Sequence, residues 1–397
     1  MPRWILQTWT VTLFALRTIP QRAGASAAAM FGIAGVVGVL TGVLSIAEGF
    51  RAAMTSVGSA ENVIVLRSSS TSEMMSGVSR EHARIIAEAP GVARSTQWVM
   101  SSAELFVVIN LPKRSTGTDA NIPLRGVEQT AFLIRDSLEI VDGRKFTPGR
   151  NEVIVGEGAA REFAGLEVGK SIKLGSLEWD VVGIFSGGGP ADSEIWADAR
   201  VLQAAYRRGD AFQSVRVRLV SDKEETFNEF KDALTTDPRL DVEVERETEF
   251  YKEQSNAVYL MITILGIPIS IMMAIGAIFG ALNTMYSAVS TRTREIATLR
   301  ALGFGGLPAL ISVMIESMTL ALVGGGIGAG LAYAAFDGYQ TATMNWQSFS
   351  QLTFAFQVTP AVLAAGLVYA AAIGFVGGFF PAIRAARIPV ASALREQ

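Results

Sequence analysis

The sequence predicts an α-helical membrane protein with four transmembrane helices and a large extracytoplasmic α+β domain. Three observations predict it. First, the 397 residues are 50 % hydrophobic and only 18 % charged, with a mean hydropathy of +0.34; a soluble domain usually carries about 25 % charge. Second, the charges are sorted along the chain. Stretches 23–47, 255–291 and 338–383 contain none, and 301–336 contains only Glu316. Third, the block 48–254 holds 58 charges in 207 residues, about 28 %, with a net charge of −8. One average therefore hides a lipid-facing part and a water-facing part. The absence of Cys excludes a disulfide framework, Fe–S ligation and thiol catalysis. A single His excludes His-pair zinc motifs. A net charge of −3 gives no sign of a nucleic-acid partner.

A helix needs about 20 apolar residues to cross the hydrocarbon core. Before the first span, residues 1–22 carry Trp4, Ile5, Leu6, Trp9, Leu13, Phe14 and Leu16, with Arg3 and Arg17 near the ends. This composition suits a cytoplasmic helix lying in the membrane surface, and Pro20 separates it from the first span. Span one is 23–47; a cleavable signal peptide is the competing reading, but the apolar run is long and starts only after Arg22. Span two, 257–286, contains Pro268 and comes after a polar segment, 249–254, that would continue the helix as a stalk. Span three is 307–335. Residues 338–357 are too polar for a further span, and their aromatics Tyr339, Trp346, Phe349, Phe354 and Phe356 suit an interface. They are read as one loop, with span four after it at 358–380. Arg residues cluster before span one, between spans two and three, and after span four, while the loop between spans three and four has none. Both termini are thus expected inside and the block 48–254 outside.

Within the block, 62–66 is a strand. A helix capped by Ser79 ends at Pro90-Gly91. Residues 105–109 and 122–127 are strands. Residues 214–220 alternate as a half-buried strand does, with Val215, Val217 and Leu219 inward. An amphipathic helix comes next over 223–234, with Phe227, Phe230 and Leu234 on one face, and Val242 and Val244 begin another strand. These outer pieces suit a ferredoxin-like, porter-type α+β subdomain. An insertion at about 128–209 reads as a second, β-rich subdomain, with strands at 153–155, 172–174 and 179–185 and one helix around 199–206.

Two segments imitate nucleotide sites. Gly165-Leu-Glu-Val-Gly-Lys-Ser171 has three residues between its glycines where a phosphate loop needs four. Gly156-Glu-Gly158 comes after a strand but lacks the third glycine of a dinucleotide turn. His82 sits among Arg80, Glu81 and Arg84 and reads as a solvated surface residue. The dispersed acids form no calcium loop, and no nucleophile elbow occurs, which leaves a membrane-anchored enzyme without a catalytic constellation. No metal or cofactor is expected on this chain.

The strongest local signal is Asn283-Thr-Met-Tyr-Ser-Ala-Val-Ser-Thr-Arg292-Thr-Arg-Glu-Ile-Ala-Thr-Leu-Arg300-Ala-Leu-Gly303, between spans two and three. It reads as a short amphipathic surface helix, about 287–303. Arg292 and Glu295 are i,i+3 neighbours, Ile296 and Leu299 form an apolar side, and Gly303 can cap the end. By itself it could be a topological anchor. With the tail Phe380-Pro381-Ala-Ile-Arg384-Ala-Ala-Arg387-Ile-Pro389 and Ala393-Leu-Arg395, it resembles the FtsX-like/MacB-like permeases of ABC transporters. In the block, Gly143-Arg144, Glu152-Val-Ile-Val, Gly169-Lys170 and Val181-Val-Gly-Ile are similar to the MacB-like periplasmic core domain. Thr291 and Ala297 stand where members often have Glu and Gly.

The resemblance implies a core domain at 48–254, an FtsX-like permease domain at 255–397, and a cytoplasmic tail at 381–397 containing Pro381, Arg384, Arg387 and Arg395. It implies a permease without catalysis of its own, working with a second permease copy or a related permease. Ser287, Arg292, Thr293, Arg294, Glu295, Ile296, Arg300 and Gly303 would form a coupling helix that docks on an ATPase. That ATPase is expected as a separate subunit in two copies, holding ATP and Mg, because no phosphate loop is found here. A periplasmic adaptor, or membrane fusion protein, is a further partner the family suggests. The implied activity is mechanotransmission: driving export or extraction of an amphiphilic, peptide or lipid-linked substrate. The alternative is an FtsX-type regulator of an extracellular cell-wall hydrolase. Glu316, inside span three, is expensive in lipid unless paired. It reads either as an anchor to the coupling helix or another span, or as a residue close enough to the interface to reach water.

Overall fold

The computed structural model describes residues 3–55, 58–345 and 350–389. The chain divides into two compact units: Met1–Glu48 with Met261–Tyr339 and Phe356–Gln397, and Gly49–Leu260 with Gln340–Ala355.

The first unit is helical. Helix Arg3–Arg17 leads into a 3-10 turn, Ile19–Arg22, with Pro20 at its start, and then into helix Ala23–Thr55. The missing N–H and fixed φ of Pro20 account for that interruption. Helix Glu247–Thr291 absorbs Pro268 without breaking. A short helix, Thr293–Ala301, leads to helices Gly306–Phe336 and Pro360–Ala386. Four helices, counted over Ile19–Thr55, Glu247–Thr291, Gly306–Phe336 and Pro360–Ala386, are long and apolar enough to cross a membrane. Their outward faces carry bare Phe31, Phe279, Leu331 and Val368, each at least 65 % exposed, which suits lipid and not water. Between helices the packing depends on small residues. A Cβ placed on Gly328 would lie 2.2 Å from the Ala34 carbonyl oxygen.

The second unit is built on a ten-stranded sheet. From edge to edge the strands run Val242–Arg246, Asn62–Arg67, Ser214–Arg218, Ser101–Pro112, Asp119–Val127, Ile195–Asp198, Glu152–Gly156, Leu177–Ser186 and Glu139–Gly143, with Ser171–Leu174 paired to Leu177–Ser186. The first four are antiparallel and are ordered fourth, first, third, second along the chain, the ferredoxin-like arrangement. Helices Arg80–Glu88 and Glu224–Thr235 bury Ile86, Phe227, Phe230 and Leu234 against Val63, Val65, Val215 and Val217. As its sequence promised, Ser79 caps the first of these helices, accepting from the His82 backbone N–H at 3.1 Å.

Strand Ser101–Pro112 is shared by two cores. Its first residues pair with Ser214–Arg218, the last of those pairs being Glu104 with Ser214; from Leu105 onward it pairs with Asp119–Val127. Ala103 accordingly joins the ferredoxin-like core, whereas Leu105 and Val107 join a second core with Ile122, Val153 and Trp179.

Four expectations are corrected. Residues 338–357 are not a simple loop: Gln340–Asn345 and Ser350–Ala355 form an antiparallel hairpin belonging to the α/β unit. Leu352 and Phe354 are buried, and the Thr353 backbone N–H donates to Ser193 Oγ at 2.8 Å. Trp346 and Phe349 lie outside the described residues. The surface helix does not begin at 287, because the preceding helix continues to Thr291 and only Thr293–Ala301 is separate. Pro381 and Arg384 lie within helix Pro360–Ala386, not in a tail beyond it. Strand Ser214–Arg218 is buried on both faces and not half-buried.

Candidate functional site

The residues singled out between spans two and three gather at one end of the helical unit. Ser287 is exposed in the last turn of helix Glu247–Thr291. The turn at Arg292 redirects the chain, and the Arg292 backbone N–H donates to the Val289 carbonyl at 3.2 Å. Thr293 opens the short helix, its hydroxyl donating to the Val289 carbonyl at 3.2 Å. Ala297 is fully buried, Ile296 packs against the core of Met285, Val289 and Val313, and Arg294 and Glu295 face outward. One face of the helix is therefore seated and the other is free. Gly303 has φ +95°, a conformation that L side chains rarely adopt, and its N–H donates to the Arg300 carbonyl at 3.0 Å, ending the helix as its sequence indicates. Arg300 reaches across to the Ile388 carbonyl.

Glu316 is the electrostatic centre of this end. It is 2 % exposed on helix Gly306–Phe336. Its Oε1 accepts from Arg22 Nη2 at 2.5 Å and its Oε2 from Arg292 Nη1 at 3.3 Å. Arg292 Nη2 also donates to the Ala15 carbonyl at 3.2 Å, and its Nε lies 3.9 Å from Glu295. One carboxylate thus joins the N-terminal turn, the entry to the short helix and a membrane helix. The pairing offsets the cost of a carboxylate away from water. Beside it, a small pocket of about 40 Å³ is lined by Val11, Phe14, Ile296, Pro308 and Glu316.

Glu316 is buried and ion-paired to Arg22 and Arg292. Its Arg22 partner was not expected; the available signal was that Arg22 is the last charge before an uncharged stretch. In helix Pro360–Ala386, Pro381 is buried and Arg384 stacks over Tyr286 at 5.7 Å. Arg387 closes that helix, and Arg395 lies outside the described residues.

A second cluster, in the α/β unit, was invisible to spacing arguments. Arg125 binds Glu73 (2.8 and 2.9 Å), Glu194 (2.7 and 2.8 Å) and Glu104 (2.9 Å). Glu104 also takes both Nη atoms of Arg135 at 2.8 Å. Burial pushes the Glu104 carboxyl up, but Arg135, Arg216 and Arg125 together outweigh it and hold it at about 2. The Tyr251 hydroxyl, dehydrated and near Glu247, is pushed up to about 12 despite Arg216 beside it.

Among the described residues, no group of three or more His, Cys, Asp or Glu could hold a metal ion. Gly165–Ser171 runs straight into the short strand Ser171–Leu174, without the helix a phosphate loop requires.

Residues 26–236 match the MacB-like periplasmic core domain, and residues 267–390 match the FtsX-like permease C-terminal domain. YknZ of Bacillus subtilis (strain 168), named as an uncharacterized ABC transporter permease, is 25 % identical over 296 residues, covering 70 % of each chain. The macrolide export ATP-binding/permease protein MacB of Escherichia coli is 26 % identical over 340 residues, covering 80 % of this chain and 50 % of the relative. The chain thus spans about half the length of the MacB relatives it matches. Among solved structures, the periplasmic region of MacB from Actinobacillus actinomycetemcomitans aligns at 14 % identity with a TM-score of 0.37, over 50 % of this chain and 94 % of that one. The first domain match alone extends over more than half of the sequence, and this protein belongs to the family of MacB-like and FtsX-like ABC transporter permeases.

Proposed function

We propose that the chain is the membrane subunit of an ATP-driven machine and that helix Thr293–Ala301 receives the stroke of a separate ATPase. The observation that supports this is the tie from Arg292 at the helix entry to Glu316 and, through it, to Arg22. A push on the outward face, which carries Arg294 and Glu295, reaches a membrane helix and the N-terminal turn without passing through flexible chain. Two ATPase copies, holding ATP and Mg, would act on a pair of permeases. Both termini would share the ATPase side of the membrane, with the α/β unit on the other side, where an adaptor protein could join it. The chain itself would carry out no catalytic step. Its work would be export or extraction of an amphiphilic, peptide or lipid-linked cargo.

Co-purification from native membranes with an ATP-binding subunit, and stimulation of that subunit's ATP hydrolysis in lipid vesicles, tests the reading. The pair Arg292→Ala with Glu295→Ala should still insert but lose the stimulation. Full coupling in that variant would remove the role assigned to the helix. Recovery of a cell-wall hydrolase on the full-length chain, with no adaptor, would instead favour a regulator of that enzyme.

A further inference from the structure

The second charged cluster has no part in the reading above. Seven charged side chains, each at most 9 % exposed, converge where strand Ser101–Pro112 passes from one core to the other. From the ferredoxin-like half come Glu73 and Arg216; from the β-rich half come Arg125, Arg135 and Glu194; Glu104 lies at the changeover itself. The seventh is Glu247, the first residue of the long helix Glu247–Thr291. Arg216 pairs with Glu247, donates to the Tyr251 hydroxyl at 3.1 Å, and reaches Glu104 at 3.2 Å. The Asn62 amide donates to Glu247 at 3.1 Å, and the Trp196 indole N–H donates to Glu194 at 2.7 Å. Each guanidinium also stacks on a ring: Arg125 on Phe106 at 5.0 Å, Arg135 on Trp196 at 4.8 Å and Arg216 on Tyr251 at 5.6 Å.

Stability alone does not account for such a cluster. Dehydrating ions costs about as much as their pairing returns, and well-packed apolar residues often serve as well or better. What forked, ring-stacked guanidiniums do provide is fixed direction. A hydrophobic seam could slide, whereas a carboxylate held by two or three guanidiniums has one geometry.

We propose that this network locks the two halves of the α/β unit and the first turns of helix Glu247–Thr291 into one rigid body. Displacement of the helix is then delivered to both halves together and is not absorbed at the seam. Arg125 and Glu73, paired from opposite halves, are the positioning residues of the seam; Arg216 and Glu247 are those of the helix joint. The transmission step rests on the proposed coupling to an ATPase; the rigidity does not.

The test uses the full chain in lipid nanodiscs and exploits its lack of Cys. Spin labels at Val141→Cys and Val220→Cys, 60 % and 64 % exposed on opposite halves, report the distance across the seam. The unaltered network should give one narrow distance distribution. Arg125→Met, or the shape-preserving Glu73→Gln if the former does not fold, should broaden it. A folded Glu73→Gln protein with the original narrow distribution overturns the lock. For the joint, a label at Val141→Cys should change its environment when the ATPase complex is trapped with ATP and vanadate. That response should be lost in Glu247→Gln while ATP hydrolysis persists. A retained response overturns the transmission role. Failure of any ATPase to associate would overturn the proposed function and leave the distance result standing.

Discussion

Replacing Glu316 removes the carboxylate that holds Arg22 and Arg292 together, and the geometry sets the cost. Two opposite charges about 4 Å apart attract by about 4 kcal/mol at an effective dielectric of 20. Returning the carboxylate to water recovers much of that. What the protein loses is the pairing of two guanidiniums left behind. Breaking a fully buried pair costs roughly 3–5 kcal/mol. Here the Arg22 and Arg292 side chains keep 19 % and 13 % of their surface, so both can turn partly outward. Glu316→Ala should therefore destabilise the helical unit by about 2–3 kcal/mol. Each guanidinium meets a different carboxylate oxygen, Arg22 at Oε1 and Arg292 at Oε2. In double-mutant cycles with Glu316→Gln, the Arg22→Gln and Arg292→Gln arms should each show a coupling of about 1–2 kcal/mol. Reversible unfolding by SDS in mixed micelles reads these values. Additivity within about 0.5 kcal/mol in both arms would mean that the three charges are separate surface residues and that the tie does not exist.

Gly328→Leu forces a side chain into the Ala34 carbonyl oxygen, 2.2 Å from its Cβ, and should cost at least the roughly 1–3 kcal/mol of overpacking. Gly326→Ala, with open space around its Cβ, should leave the melting temperature unchanged or raise it, since Ala gains about 1 kcal/mol over Gly in a helix. Gly303→Ala places a Cβ at φ +95° and should lower permease-stimulated ATP hydrolysis with a stability loss of only about 1–2 kcal/mol. Equal stimulation in the variant would free that turn from any part in coupling. Glu104 is held at about 2, below the ordinary carboxylate value of 4.5, so its contribution is complete above about 4.5 and is lost as pH falls toward about 2. Thermal melting of the α/β unit should weaken through that window, and less so in Glu104→Gln; a flat profile in the parent would refute the assignment.

How legible each element is in the sequence depends on how it is stabilised. The four long helices announce themselves because lipid tolerates few charges. The helices over Arg80–Glu88 and Glu224–Thr235 were readable because one face is apolar and the other wet. Arg216 was not. Alternation with Val215 and Val217 implies a solvated Arg, and the implication fails because Glu73, Glu104 and Glu247 arrive from strands, turns and helices distant in sequence. Period-two reasoning assigns faces; it cannot count the partners waiting on the polar one. The hairpin Gln340–Ala355 was missed for a related reason. Its Gln, Thr and Ser residues look like a loop, although Leu352 and Phe354 do alternate, and what buries them is a surface elsewhere in the fold.

That surface also explains the Gly156-Glu-Gly158 pair that imitates a dinucleotide turn. A Cβ on Gly156 would sit 2.3 Å from the Asp192 carbonyl oxygen, and one on Gly158 would lie 3.2 Å from Thr353 Cβ. The first glycine lets the 3-10 turn Gly189–Ser193 close over the strand end, and the second admits the hairpin. The local chemistry is that of a nucleotide turn, close approach of backbone to a neighbouring group, but the approaching group is the protein's own chain. A glycine pattern reports that something must come close. Only the remaining residues of a motif, here the third glycine and a long helix after it, say whether that something is a phosphate; their absence already pointed to a structural use, and the hairpin supplies it.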